Sequence, residues 1–148
     1  MSGGHRYEPS SRARRRALQA LYAWHLNAQD ADAIIAQFFD EQDFGNVDVH
    51  LFEALVRGVV SDHEKLDDRL SEFLDRPGGQ LDVMERVVLH MGAWELINRP
   101  ETPFQVILDE AVELARRFGS EQGHGFVNGV LDRAAKSWRP DGETTPGG

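Results

Sequence analysis

Apolar side chains recur every three or four residues along most of the chain, the spacing of a helix face that packs on a core. No segment alternates apolar and polar residues as a half-buried strand does, so the sequence predicts an all-α protein of six or seven helices. The predicted helices cover about residues 11–27, 31–44, 48–74, 83–98, 103–118 and 125–138.

Glycine and proline mark the places where these helices stop. The Arg-Pro-Gly-Gly segment at 76–79 predicts a loop that divides the domain into two packed helical halves, about 11–75 and 80–138. Within the third helix, Gly58 and the Ser61-Asp62 pair predict a kink or a split.

Both ends of the chain are expected to be flexible. Residues 1–10 contain two glycines and Pro9, and residues 139–148 read RPDGETTPGG. The packed domain is therefore expected to span residues 11–138.

The fourth helix is expected at the centre of the second half, because it is apolar on nearly every side. Asp82 and Glu85 open it in the pattern of a capping box. His90 falls inside this helix, and we interpret it as a hydrogen-bonded core residue.

Charge is unevenly distributed along the chain. The 148 residues carry a net charge of −9, but residues 1–25 hold five arginines against one glutamate and carry +4, which leaves −13 on the rest. This asymmetry predicts one basic binding site on an acidic body, where salt should weaken the binding of RNA. Without cysteine, disulfides and thiolate chemistry are excluded, and without a long apolar run we expect a cytoplasmic protein rather than a membrane one.

The first turns of the first predicted helix are rich in arginine, at Arg12, Arg14, Arg15 and Arg16. Cations are unfavourable at the positive end of a helix, so helix stability does not explain this choice. All except Arg14 share with Gln19 the side that faces away from the apolar stripe. Forked guanidinium donors match phosphate and stack on bases, which favours nucleic acid. The alternatives are a solubilising arm and a patch that pairs with the protein's own acids.

Phe126 lies roughly 90° from the centre of the apolar stripe of the last helix. The preceding Gly123-His124-Gly125 would let the backbone approach a ligand closely. The ring either borders the core or stacks on an unpaired base. Combined with the arginines, it favours single-stranded RNA over duplex DNA.

Common catalytic motifs are missing from the sequence, and its six histidines are scattered, with none four residues from another. We therefore expect a protein without enzymatic activity, cofactor or metal. The clustered carboxylates, at Asp67-Asp68 and at Asp109, Glu110 and Glu113, are interpreted as solvated helix faces. The alternatives are a docking surface for a basic protein and a small hydrolase that uses Asp109 or Glu113.

Five segments form a specific combination: RRRALQALYAWHL (14–26), DEQDFGNVDVHLFEALVRGV (40–59), ERVVLHMGAWEL (85–96), ETPFQVILDEAVELARRFGSE (101–121) and FVNGVLDRAA (126–135). Together they resemble the NusB family of bacterial transcription antitermination factors, over about residues 12–140. The resemblance implies an all-helical, NusB-like fold of two small bundles.

The resemblance also implies a function. Proteins of this family pair with the ribosomal protein NusE and bind the boxA element of nascent RNA, which helps the RNA polymerase complex read through terminators in ribosomal operons. The family's RNA-contacting positions correspond here to Arg12, Arg14, Gln19 and Phe126, with Arg15 and Arg16 as additions. The positions on the family's NusE-facing surface correspond to Tyr22 and Glu85.

Three residues depart from the family pattern: Asp109 stands where Asn is common, Trp94 where Tyr is common, and Gln122 where relatives carry an acid. Gln122 lies beside the expected RNA surface, so we expect it to alter the strength of RNA or partner contact. The alternative function is a protein-binding helical scaffold or a homodimer, in which the basic arm pairs with the acids of a second copy.

Overall fold

The computed structural model of the protein describes residues 4–75 and 81–140, with side chains from Glu8 onwards. Helices form the regular secondary structure of these residues, which confirms the all-α prediction. They are α1 (Gly4–Asn27), α2 (Ala31–Glu41), α3 (Val49–Leu70) with a short 3-10 helix (Ser71–Phe73) after it, α4 (Val83–Asn98), α5 (Phe104–Phe118) and α6 (Gly123–Trp138). Within the described ranges, none of the helices has both the length and the apolar character that a membrane span needs.

The first helix begins at Gly4 rather than at Ser11, so residues 4–10 of the predicted flexible arm are helical. Contacts outside the local sequence stabilise these turns. The carbonyl of Pro9 accepts a hydrogen bond from the amide of Asp48 at 3.0 Å. Residues 1–3 of the predicted arm lie outside the described residues.

The third helix is continuous through Gly58 and Ser61-Asp62, so the predicted split is wrong. The chain nevertheless divides into two compact units at this point, Met1–Ser61 and Asp62–Gly148. The sequence placed the division at 76–79, and these residues lie outside the described ones.

In the first unit, α1 packs against α2. The apolar faces of these two helices and of the first half of α3 are buried, as the periodicity predicts. The largest fully buried side chains of this unit are Leu18, Leu21, Ile34, Phe52, Leu55, Val56 and Val59.

In the second unit, α4, α5 and α6 pack against one another. Most of α4 is buried, which confirms its predicted central place. The Asp82 side chain caps α4 by accepting a hydrogen bond from the amide of Glu85 at 3.4 Å.

His90 is a hydrogen-bonded core residue, as predicted. It is 3% exposed, and its Nε2 lies 2.6 Å from Oδ1 of Asp67. Arg86 donates to the other oxygen of Asp67 at 2.7 Å. Burial opposes ionisation of Asp67, but the hydrogen bonds from His90 and Arg86 outweigh it and lower the pKa of Asp67 from 3.8 to about 2.

The side chain of Arg139, the residue after α6, caps the carboxyl-terminal end of α4. Its guanidinium donates to the carbonyls of Leu96 at 3.0 Å, Thr102 at 2.8 Å and Arg99 at 3.0 Å. Carbonyls at a helix end lack partners within the helix, and an arginine fork can satisfy several of them. Arg139 is therefore anchored rather than part of a flexible tail, and residues 141–148 of the predicted tail lie outside the described residues.

Candidate nucleic-acid interface

Because α1 begins at Gly4, its arginines at 12–16 lie in the middle of the helix rather than in the first turns where the sequence placed them. These arginines differ in exposure. Arg14 is 5% exposed, whereas Arg12, Arg15 and Arg16 are half-buried and Gln19 is exposed. Arg14 lies three and four residues before the buried Ala17 and Leu18, so helix geometry places it on the inner face. Arg14 thus lies apart from the more exposed Arg12, Arg15, Arg16 and Gln19, as the helical spacing predicts.

Arg12 is held by one carboxylate and one carbonyl. Its Nη2 lies 3.0 Å from Oε1 of Glu8, one turn earlier in α1, and its Nη1 donates to the carbonyl of Asn46 at 3.4 Å. Both side chains of the ion pair keep more than a third of their surface exposed, so solvent screens this pair strongly.

Arg16 is held by a carbonyl and an aromatic ring. Its Nη1 donates to the carbonyl of Asp43 at 2.8 Å, and its Cζ lies over the Phe44 ring at 5.0 Å from the centroid. A guanidinium over a ring face is attracted by the negative charge density of that face.

The loop that receives these arginines, residues 42–48, is ordered by its own polar side chains. Oδ1 of Asp43 accepts the amide of Gly45 at 2.8 Å. Asp48 caps α3 by accepting the amide of Leu51 at 3.1 Å, while its own amide bonds to Pro9 in α1. These bonds fix the loop beside the basic face of α1.

Arg15 and Gln19 complete this face, which we call the basic face and define as Arg12, Arg15, Arg16 and Gln19. No residue that the structure describes forms a hydrogen bond or ion pair with the Arg15 guanidinium. Its donors therefore have no partner among the described residues and suit an anionic ligand.

Phe126 lies in the second unit, on the first turn of α6, and is half-buried. The next residue, Val127, is fully buried in the core. A side chain added at Gly125 would meet nothing within 4 Å, so the backbone is open there.

A polar groove of about 620 Å³ runs between α5 and α6 beside this turn. The two exposed carboxylates that line this groove, Asp109 and Glu113, were candidates for the catalytic residues of a hydrolase. Asp109 accepts a hydrogen bond from Gln105 at 2.9 Å, and Glu113 pairs with Arg116 at 3.4 Å. Their exposure and their neighbours on the same helix are those of a solvated face. Among residues 4–75 and 81–140, no group of three or more acidic or histidine side chains could hold a metal.

The two positions assigned to the partner surface differ in the structure. Tyr22 is half-buried on α1. Glu85 is 6% exposed and accepts a hydrogen bond from the hydroxyl of Ser120 at 3.1 Å. A Cβ at Gly123 would collide with Oε2 of Glu85, so the carboxylate fits tightly under the start of α6. This geometry makes Glu85 part of the interior of its unit.

The aromatic residues beside the basic face were not predicted from the sequence. The Arg16 guanidinium lies over the Phe44 ring, and Phe39 packs edge-on against Phe44. The sequence signal for this cluster was Phe44, which stands just before Gly45-Asn46 and soon after the adjacent pair Phe38-Phe39 of the preceding helix.

The fold and this surface define a class: small all-helical proteins in which one helix carries several arginines and a glutamine on one side. Residues 11–136 match the model of the NusB family. The chain therefore belongs to the NusB family.

Relatives at the level of sequence cover most of the chain. The transcription antitermination protein NusB of Xanthomonas campestris pv. campestris (strain B100) is 52% identical over 129 residues, which are 87% of this chain and 81% of that protein. The protein of the same name from Xanthomonas oryzae pv. oryzae (strain PXO99A) is 51% identical over 129 residues, or 87% of this chain and 83% of its own length.

Two solved structures share the fold. T. maritima NusB superposes with a TM-score of 0.76 at 30% identity and covers 86% of this chain and 91% of its own. A crystal structure of the antitermination factors NusB and NusE in complex with dsRNA has a TM-score of 0.80 at 26% identity, over 88% of this chain and 98% of the other.

Proposed function

We propose that this protein is a transcription antitermination factor that binds the boxA element of nascent ribosomal RNA together with NusE. It acts as a non-enzymatic adaptor that helps RNA polymerase read through terminators. The observation that carries the proposal is the basic face, three arginines and a glutamine on one side of α1 in a chain of net charge −9. The family membership and the relative bound to NusE and RNA support it.

The residues of the basic face have two roles in the proposal. Arg12, Arg15 and Arg16 bind backbone phosphates, which supply affinity without regard to sequence. Gln19, exposed one turn after Arg15, reads a base edge through its amide. Arg14 is buried, so its proposed contribution is to hold the basic face in place from the inner side of α1.

In the second unit, Phe126 stacks on an unpaired base.

Tyr22, half-buried on α1, belongs to the surface that meets NusE. Glu85 is buried, and so it supports that surface through Ser120 rather than touching the partner. The acidic body attracts a basic ribosomal protein, and the joint surface binds RNA more tightly than either protein alone.

The proposal is tested by titrating fluorescent boxA RNA with the protein, with and without NusE, at two salt concentrations. We expect tighter binding with NusE and a clear loss of affinity at high salt. Equal affinity for a scrambled RNA of the same composition would contradict sequence-selective binding.

Charge variants locate the site. Replacing Arg12, Arg15 and Arg16 together by Gln should weaken binding to every RNA and flatten the salt dependence. The matched control is Arg57→Gln, since Arg57 is exposed in the same unit but pairs with Asp32 and Glu53. A control that loses as much affinity as the triple variant would assign binding to overall charge. Sedimentation of the same samples reports a homodimer, which RNA should dissociate if the basic face forms its interface.

A further inference from the structure

Four phenylalanine rings form a chain from the interior of the first unit to its surface. Phe52 is fully buried, and the Phe44 ring packs on it at 4.9 Å between centroids. Phe39 packs edge-on against Phe44 at 4.8 Å and lies 5.7 Å from Phe52. Phe38 completes the set at 6.0 Å from Phe52. Phe39 is 38% exposed and is one of two large hydrophobic side chains exposed among the described residues.

The exposed ring is held in a fixed orientation. Two of its neighbours are themselves in contact with each other, and the innermost is enclosed by the core. A ring fixed in this way can receive a flat ligand with little loss of side-chain freedom.

The basic face adjoins this ring through Phe44. The guanidinium carbon of Arg16 lies 5.0 Å from the Phe44 centroid, and Phe44 lies 4.8 Å from Phe39. The cation is therefore within about 10 Å of the exposed ring. A flat apolar surface next to a fixed cation matches a nucleotide, which joins a flat base to an anionic phosphate.

We propose that Phe39, backed by Phe44, is a stacking site for an unpaired RNA base whose phosphate is bound by Arg16. This inference rests on the proposed function, because it adds a base-binding position to the same RNA surface. It places an aromatic contact in the first unit, beside the arginines, in addition to Phe126 in the second.

The charges around the ring define how this site contributes. Asp40 and Glu41 follow Phe39 in α2 and are exposed, and they repel phosphate. Affinity at the site therefore comes from the contact between base and ring. Because base stacking releases no counterion, loss of the ring should lower RNA affinity without changing the salt slope.

The test uses Phe39→Leu, which keeps apolar surface but removes the ring, and Phe39→Tyr, which keeps the ring. Affinity for boxA RNA is measured by fluorescence anisotropy at two salt concentrations, and base stacking by the quenching of 2-aminopurine placed in turn along the RNA. We expect Phe39→Leu to weaken binding about 5- to 150-fold with an unchanged salt slope, and to restore 2-aminopurine fluorescence at one position. Phe39→Tyr should bind as the wild type does.

The matched control is Leu26→Ala. Leu26 is 59% exposed and lies ten residues after Arg16 in α1, about 15 Å along the helix. Its replacement should leave RNA affinity unchanged. Thermal unfolding of each variant checks that it is folded, which the exposure of both positions favours.

The outcomes separate this inference from the function on which it rests. If the wild type binds boxA RNA and Phe39→Leu binds equally well, the stacking site is overturned and the proposed function stands. If Phe39→Leu loses NusE but keeps RNA, the ring is a protein contact and the inference is again overturned. A wild type that binds no RNA at either salt concentration overturns both.

Discussion

Leu131 occupies the space that a side chain at Gly92 would need. Its Cδ1 lies 2.6 Å from the position of an ideal Cβ on Gly92, closer than a Cβ approaches a non-bonded carbon atom in folded proteins. Gly92 lies in α4 and Leu131 in α6, and Leu131 is fully buried. The absence of a side chain at one residue thus allows these two helices to pack closely.

Gly92→Ala is expected to destabilise the protein by about 1–3 kcal/mol, because Leu131 must leave its rotamer or the helices must separate. The free energy of unfolding, measured with urea, checks this. Gly125→Ala is the matched control in α6, since a Cβ there meets nothing within 4 Å. Alanine is the better helix former, so the control should be neutral or up to about 1 kcal/mol more stable. Equal effects of the two substitutions would contradict the packing argument.

Acid should weaken the fold through Asp67. The pKa of this carboxyl is about 2 in the folded protein and 3.8 ordinarily, so its contribution to stability is complete above about pH 4 and is lost as the pH falls towards 2. Since about a third of the Asp67 side chain is exposed, we expect a contribution on the order of 1 kcal/mol.

The variant Asp67→Asn removes this titration. It should be less stable than the wild type at pH 6, but should lose less of its unfolding free energy between pH 4 and pH 2.5. Asp132→Asn is the control, because Asp132 pairs only with the exposed Lys136 among the described residues. Parallel pH curves for the wild type and Asp67→Asn would show that another group controls acid sensitivity.

Removal of the Arg139 side chain is expected to loosen the end of α4. Arg139→Ala leaves the carbonyls of Leu96, Arg99 and Thr102 without their shared donor, at an expected cost of about 1–3 kcal/mol. Amide hydrogen exchange should rise most in the last turn of α4. Lys136→Ala, which removes an exposed cation of α6, should change stability by less than about 0.5 kcal/mol. Unchanged exchange in Arg139→Ala would rule out this capping role.

Arg14 and Arg15 are adjacent in sequence but are expected to respond differently to replacement by alanine. Arg14→Ala should lower stability by about 1–3 kcal/mol, because the side chain is 5% exposed, and should leave the salt slope of RNA binding intact. Arg15→Ala should keep the stability and reduce the salt slope by about one unit. Thermal unfolding and RNA titrations at several salt concentrations distinguish the two effects. A reduced slope for Arg14→Ala would instead show that Arg14 reaches phosphate.

Sequence periodicity was sufficient for the helices whose burial is strongest. The bounds of α4 agree because apolar residues continue to Ile97, a capping aspartate precedes the helix and Pro100 follows it. For α5, Gly119 ends the helix as expected. His90 was interpreted correctly because a polar residue inside an apolar helix needs a buried partner, although the sequence could not name Asp67 as that partner.

The remaining features depend on contacts between distant residues. The start of α1 was missed because Gly4 and Pro9 are poor helix formers, and the bond between Pro9 and Asp48 that helps order this end joins two separate segments. Glu85 was assigned to the partner surface through the family resemblance, and its burial and its bond to Ser120 depend on tertiary contacts that the sequence does not show. The association of Arg16 with Phe44 likewise depends on a contact between α1 and the loop that follows α2.

Among the residues that the structure describes, Arg16 is anchored by a backbone carbonyl and a π face and forms no ion pair. These partners are dipolar and quadrupolar and carry no net charge. A carboxylate in their place would hold the guanidinium equally well but cancel most of the field that an approaching phosphate meets. The entropy cost of immobilising a long side chain, about 2 kcal/mol, is then largely met on folding, before any ligand arrives. The loop at 42–48 thus holds the positive charge of Arg16 at a defined position on a protein whose net charge is negative.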